Sequence, residues 1–123
     1  MTINDAINRV DSLKPNDFGI SDKVKWLSEI ERRIYDEIIL THEGADDVTF
    51  AAFNDDTPLD TVLLCPDDYA VLYVHFLEAQ IDFYNAEIAK YNNSIETFNT
   101  VYSLFERWYN RTHMPKGARM RYF

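Results

Sequence analysis

From Tyr69 to Tyr109 an apolar residue returns every three or four positions without a slip. One column reads Val74, Ile81, Ile88, Ile95, Tyr102 and Tyr109, the other Leu77, Tyr84, Tyr91, Phe98 and Phe105. Each column steps by seven and the two are offset by three, which is the a/d seam of a heptad repeat. No proline or glycine lies between Pro66 and Pro115, so nothing in the interval obliges the chain to turn. A helix filling it would be about 70 Å long. A sphere of this chain length has a radius of gyration of only about 14 Å. The spacing therefore predicts either a rod that projects and is covered by partners, or a helix that folds back on itself. The unbroken phase favours one continuous helix. A break at Asn92–Ser94, where Asn93 and Glu96 have capping-box spacing, is the competing reading.

The rest of the chain also reads as helix. Only three glycines and four prolines occur in 123 residues, and 46% of the chain is hydrophobic, enough for one modest core. Ile3 to about Leu13 carries a stripe of Ile3, Ala6, Ile7, Val10 and Leu13, with Thr2 as cap and Asp5 in the first turn. Lys14-Pro15 stops that helix. Ser21 and Asp22 are expected to cap a second one reaching about Thr41, with Val24, Leu27, Ile30, Ile34 and Ile38 inward and Glu29–Arg33 paired outside. Gly44 is the expected terminator. Residues 45–65 are the one long non-helical stretch. There Val48–Phe53 and Thr61–Leu64 are candidate short strands around the turn-prone Asn54–Pro58. Pro66, with Asp67 and Asp68, is expected to open the long helix. The expected fold class is all-α: a small helical domain over 1–114 with one long C-terminal helix, an extended or hairpin insertion at about 45–65, and a tail at 115–123.

Charge is unevenly placed in a chain of net charge −9. Glu43, Asp46, Asp47, Asp55, Asp56, Asp60, Asp67 and Asp68 stand without a Lys or Arg between 43 and 68. From Arg107 onward there is no acid, while Arg107, Arg111, Lys116, Arg119 and Arg121 follow one another. An acidic balance argues against binding nucleic acid by phosphate neutralisation. The polarity permits contacts between opposite ends of identical chains, although a solvated loop and a frayed tail would give the same composition. No apolar run approaches a membrane span, and the first residues lack the basic region of a secretory leader. The single Cys65 fits a reducing compartment.

No catalytic pattern stands out. His75 and Glu78 are three apart on the long helix, but di-iron bundles use Glu-x-x-His with further glutamates on facing helices. No Gly-rich phosphate loop or nucleophile elbow occurs, and the aspartates of 46–60 lack the glycine and terminal glutamate of a calcium loop. Neither enzyme activity, metal nor cofactor is expected. The aromatics exceed what one helix hairpin can hide, and tyrosine suits surfaces buried on assembly. Tyr84, Tyr91, Phe98, Tyr102, Phe105 and Tyr109 are therefore the expected subunit-interface residues.

The stretch Leu72-Tyr73-Val74-His75-Phe76-Leu77-Glu78-Ala79-Gln80-Ile81-Asp82 resembles the central helix of small proteins encoded beside portal and capsid genes in tailed phages and prophages of Gram-positive bacteria. Tyr91-Asn92-Asn93-Ser94 and Tyr109-Asn110-Arg111-Thr112-His113-Met114-Pro115-Lys116 share the likeness, and Leu59-Asp60-Thr61-Val62-Leu63-Leu64-Cys65-Pro66 looks like the lead into that helix. These are the head–tail connector (portal adaptor) proteins. The resemblance covers 59–116 well and the first 42 residues loosely. It implies a structural protein of the virion neck, assembled in the host cytoplasm as a ring, typically twelve-fold. Its partners would be itself, the portal and the next neck or tail component, with DNA passing through unbound and no membrane involved. It also implies that the C-terminal segment reaches the portal, with Arg119 and Arg121 as charge contacts and Met120, Tyr122 and Phe123 as apolar anchors. Asp46, Asp47, Asp55, Asp56 and Asp60 would face the channel or its loops, where acids repel phosphate. A free-standing helical interaction or regulatory module is the alternative, and a di-metal bundle enzyme a more remote one.

Overall fold

The computed structural model describes residues 1–116. Over these the protein is all-α, with four α-helices: α1 Ile3–Leu13, α2 Ile20–Ile34, α3 Val71–Tyr84 and α4 Ile88–Thr112. No strand forms among the described residues; two isolated bridges, Thr2 with Val62 and His42 with Pro115, are the extended pairings.

α1 begins as its sequence dictates. Thr2 Oγ1 accepts the Asp5 N–H at 3.1 Å while Asp5 Oδ2 accepts the Thr2 N–H at 3.0 Å, a reciprocal capping box. The other free donors of the first turn find partners in the long loop: Ile3 N–H donates to Thr61 O at 3.0 Å and Asn4 N–H to Leu59 O at 2.9 Å. The loop is therefore held across the start of α1 as extended backbone, not as a hairpin. The strands anticipated at 48–53 and 61–64 do not pair, because each takes its partners elsewhere. Phe53 N–H donates to Ser28 Oγ at 2.9 Å, and Leu63 N–H to Met1 O at 2.9 Å. The turn at Asn54–Thr57 does form, with Asn54 Oδ1 accepting the Asp56 N–H at 2.8 Å.

α2 starts one residue before the expected cap. Gly19 occupies the N-cap, and Ser21 is already helical, its hydroxyl donating to Asp55 Oδ1 at 2.7 Å. The inward stripe Val24, Leu27, Ile30, Ile34 and Ile38 is buried as its spacing requires. After Ile34 the helix widens into one π turn, Tyr35–Ile39, closed by Leu40 N–H to Tyr35 O at 2.9 Å. The extra residue in this turn lets the consecutive Ile38 and Ile39 both reach the core. The outer ion pair is Arg33–Glu37 at 3.0 Å, not the expected Glu29–Arg33. Gly44 follows, in the left-handed region at φ 87°.

The heptad seam folds back on itself. α3 ends at Tyr84 and α4 begins at Ile88, so the continuous rod is replaced by an antiparallel hairpin, and the break falls at Asn85–Glu87, not at Asn92–Ser94. The turn is a Schellman motif: Ala86 N–H donates to Phe83 O at 3.0 Å and Glu87 N–H to Asp82 O at 2.9 Å, with Ala86 at φ 57°. The phase persists across it because both arms bury the same stripe. Val74, Leu77 and Ile81 of α3 are buried together with Phe98, Tyr102 and Phe105 of α4. α3 is buried on most sides, packed against α1, α2 and α4, which accounts for its lack of amphipathicity. Pro66 does not open α3 directly. A turn over 67–70 intervenes, and Asp67 and Asp68 lie outside the helix.

Candidate functional site

Two ends of the α3–α4 hairpin differ sharply. At the turn end, apolar side chains crowd the surface: Leu13 of α1, Ile20 of α2, Phe83 and Tyr84 of α3 and Ile88 of α4 are each more than half exposed. The rings there form a ladder. Phe18 meets Trp26 edge-on at 5.3 Å, Trp26 stacks on Tyr84 at 5.6 Å, Tyr84 meets Phe83 at 5.2 Å and Phe83 meets Tyr91 at 5.6 Å. Trp26 is the buried anchor of the ladder, while Phe83 and Tyr84, exposed at 53% and 59%, are its free faces. Scattered exposed apolar residues need no explanation, but aromatic side chains gathered on one end make that end the candidate contact surface.

A buried ion pair fixes this end from beneath. Asp82, 1% exposed, accepts two hydrogen bonds from Lys14 Nζ at 2.6 and 2.7 Å and one from Ser94 Oγ at 2.9 Å. One carboxylate thus ties the end of α1, the end of α3 and the start of α4. It holds the hairpin turn, and with it Phe83 and Tyr84, in a fixed place.

The opposite end carries the root of the tail. Lys116 N–H donates to Thr41 O at 2.9 Å and Glu43 N–H to Met114 O at 2.8 Å, so Pro115 and Lys116 run beside 41–43 and are tied to the body. Residues 115 and 116 of the expected tail therefore belong to the body, and the rest of it, 117–123, lies outside the described residues. His42 makes the join. It is buried, with Nδ1 2.6 Å from Ile38 O and Nε2 2.7 Å from Asn110 Oδ1, and its ring meets Tyr109 edge-on at 4.9 Å. Tyr109 in turn stacks on His113 at 3.8 Å.

The expected subunit-interface residues divide. Tyr84 is exposed and Tyr91 is partly so, both in the ladder. Phe98, Tyr102 and Phe105 are 0%, 6% and 1% exposed and belong to the chain's own core, so they present no face to a neighbour and are corrected to core residues. Tyr109 is half-buried at the tail end. The hairpin explains the correction, because α3 occupies the side that a rod would have offered to partners. Asp46, Asp47, Asp55, Asp56 and Asp60 are all exposed along the loop. Arg119, Met120, Arg121, Tyr122 and Phe123 lie outside the described residues. Phe18 was missed because it sits in a loop, outside any periodic stripe. Asp82, an acid between Ile81 and Phe83 in an apolar helix, was the available signal for the ion pair.

The remaining buried polar groups serve the fold. Glu31, 2% exposed, accepts the Leu64 N–H at 2.9 Å and the Tyr73 hydroxyl, which itself accepts the Cys65 N–H at 2.9 Å. Burial raises the Glu31 carboxyl above the ordinary glutamate range against those two hydrogen bonds, and burial beside Glu31 pushes the Tyr73 hydroxyl and the Cys65 thiol up. Cys65 is therefore held as an unreactive thiol. For Glu37 burial also pushes upward, but hydrogen bonds from Arg33 and from Tyr102 at 3.0 Å outweigh it and the net shift is down. His75 Nδ1 lies 3.1 Å from Glu78 on the same helix, and among the described residues no three His, Cys, Asp or Glu side chains converge as a metal site would need. No helix among these residues is long and apolar enough to cross a membrane. No family model matches this chain, and comparison with curated proteins and with solved structures returns no match.

Proposed function

We propose that this protein is a structural head–tail connector of a tailed phage, assembling as a ring beneath the portal, joining head to tail and lining the DNA channel without binding DNA specifically. The observation that carries this reading is bipolarity. An aromatic contact surface stands at the turn end of the α3–α4 hairpin, and a basic segment leaves from its other end beside Thr41–Glu43. Surfaces at opposite ends of one body generate heterologous contacts, which close into rings when the rotation allows. The resemblance of residues 59–116 to the portal-adaptor family supplies the identity of the ring. In this reading the segment beyond Lys116 is the arm that meets the portal, and the exposed aspartates of the loop give the channel its negative potential. The function is assembly, not turnover.

Electron microscopy of the purified chain mixed with the portal protein tests the proposal. A ring-shaped density added below the portal is the expected result. A compact single copy that ignores the portal would overturn it and favour a free-standing interaction or regulatory module.

A further inference from the structure

We propose that the aromatic end of the α3–α4 hairpin is the receptor for residues 117–123 of a second copy of this chain. The inference deepens the connector reading by naming the contact between neighbouring copies, and rests on that reading for the ring alone.

The receptor's chemistry comes from its rings and its rim. Tyr84 and Phe83 present more than half of their surface. Beside the stacked Trp26–Tyr84 pair runs a cleft whose charged lining is Asp22, Glu29 and Lys25, with Asp17 exposed next to Phe18. Acids outnumber the lysine, and at the α4 side Glu87 is paired with Lys90 at 2.8 Å. A peptide matched to such a surface carries arginines, which stack on aromatic faces and pair with carboxylates, and apolar groups that cover the rings. Residues 117–123 read Gly-Ala-Arg-Met-Arg-Tyr-Phe. The chain already uses this contact internally, with the Arg33 guanidinium 4.4 Å from the Tyr102 ring and that of Arg32 5.1 Å from Phe50.

Reach decides that the contact is between copies. The tail leaves the body where Lys116 is bonded to Thr41 and His42 to Asn110. From Asn110 back to Tyr91, the ladder ring on α4, is about 28 Å of helix, and from Thr41 back to Trp26, the ladder ring on α2, about 22 Å. Seven residues span at most about 25 Å when fully stretched, and a stretched chain cannot also lie down in a cleft. A tail that touched its own Trp26 would be stretched close to its limit and could not also cover Tyr84 and Phe83, so before a portal is present the receptor it can fill is the neighbour's. Each copy then gives a tail at one end and takes one at the other, the head-to-tail geometry that propagates or closes a ring.

Mass measurement by analytical ultracentrifugation on full-length variants tests this. One variant carries Arg119→Glu with Arg121→Glu, the other Phe83→Ser with Tyr84→Ser; circular dichroism checks that both remain helical, and Tyr84→Lys alone serves as a second, milder receptor variant. The wild type is expected to gain mass with concentration above the 14.5 kDa of one copy. Each variant alone should stay a single copy. Their equimolar mixture should form a 1:1 dimer and nothing larger, because only one intact tail and one intact receptor can meet. A wild type that stays single at every concentration, a variant that assembles like wild type, or a mixture that does not pair would overturn the proposal. Co-sedimentation with the portal is scored separately and on the receptor variants, whose tails are intact: receptor variants that lose self-assembly but still bind the portal support this contact, and loss of portal binding by the wild type would remove the connector reading without touching it.

Discussion

At the scale of single residues, the structure rests on buried carboxylates placed where three elements meet. Asp82 is nearly inaccessible and holds Lys14 and Ser94, so removing it leaves a partly buried ammonium without its counterion. Breaking such a pair costs about 3 kcal/mol or more. Asp82→Ala should lower the melting temperature by roughly 10 °C or more for a domain of this size. It should also loosen the aromatic end, seen as increased quenching of Trp26 fluorescence. Glu31 gives a pH signature. The folded protein holds its proton to a higher pH than the unfolded chain does, so raising the pH from the ordinary value of 4.5 through the folded-state value weakens the fold. Melting curves from pH 4 to 8 should show that decline, and Glu31→Gln, which does not titrate, should flatten it. Glu31 stood beside the inward stripe of α2 in the sequence. Nothing in the sequence showed that Leu64 and Tyr73 would converge on it, because that depends on where the loop crosses.

At the scale of elements, what was legible followed periodicity and capping, and what was not followed tertiary contacts. α1 was readable to the residue because Thr2 and Asp5 form a local cap. The inward face of α2 was readable from its stripe, but its π turn was not, since the turn answers the demand to bury both Ile38 and Ile39. The hairpin at Asn85–Glu87 was hidden for a specific reason. The left-handed position of its Schellman turn is filled by Ala86, where glycine is the usual marker. An alanine there carries strain of about 1–2 kcal/mol, part of which glycine would return as unfolded-state entropy. Ala86→Gly should therefore stabilise the protein by about 0.5–1 kcal/mol in urea titrations, and a destabilised variant would contradict the turn geometry. Asn93 lies inside α4, not in a loop, so Asn93→Pro should cost about 3 kcal/mol and reduce helical circular dichroism. The candidate site was half legible for the same reason. Tyr84 and Tyr91 lie where the seam runs out at the turn, while Phe98, Tyr102 and Phe105 were claimed by the core once the helix folded back.

At the scale of the whole molecule, the two ends of the α3–α4 hairpin differ: the turn end carries the exposed aromatic ladder, and at the other end Glu43, where the acidic segment begins, is bonded to Met114 beside the basic one. Among the described residues the core is built from one copy's own helices, and the aromatic ladder is what they leave exposed. Deleting residues 117–123 should leave the helical signal and melting temperature unchanged while abolishing attachment to the portal, since no described core residue lies beyond Phe105. Lowering ionic strength should strengthen tail-dependent assembly, because contacts between exposed charges weaken with screening. Whether the chain works by assembling, as proposed, is read by light scattering on the full-length protein, alone and with the portal. The expected result is a portal complex whose added mass is a ring's multiple of 14.5 kDa. A lone species of one copy under both conditions would contradict it.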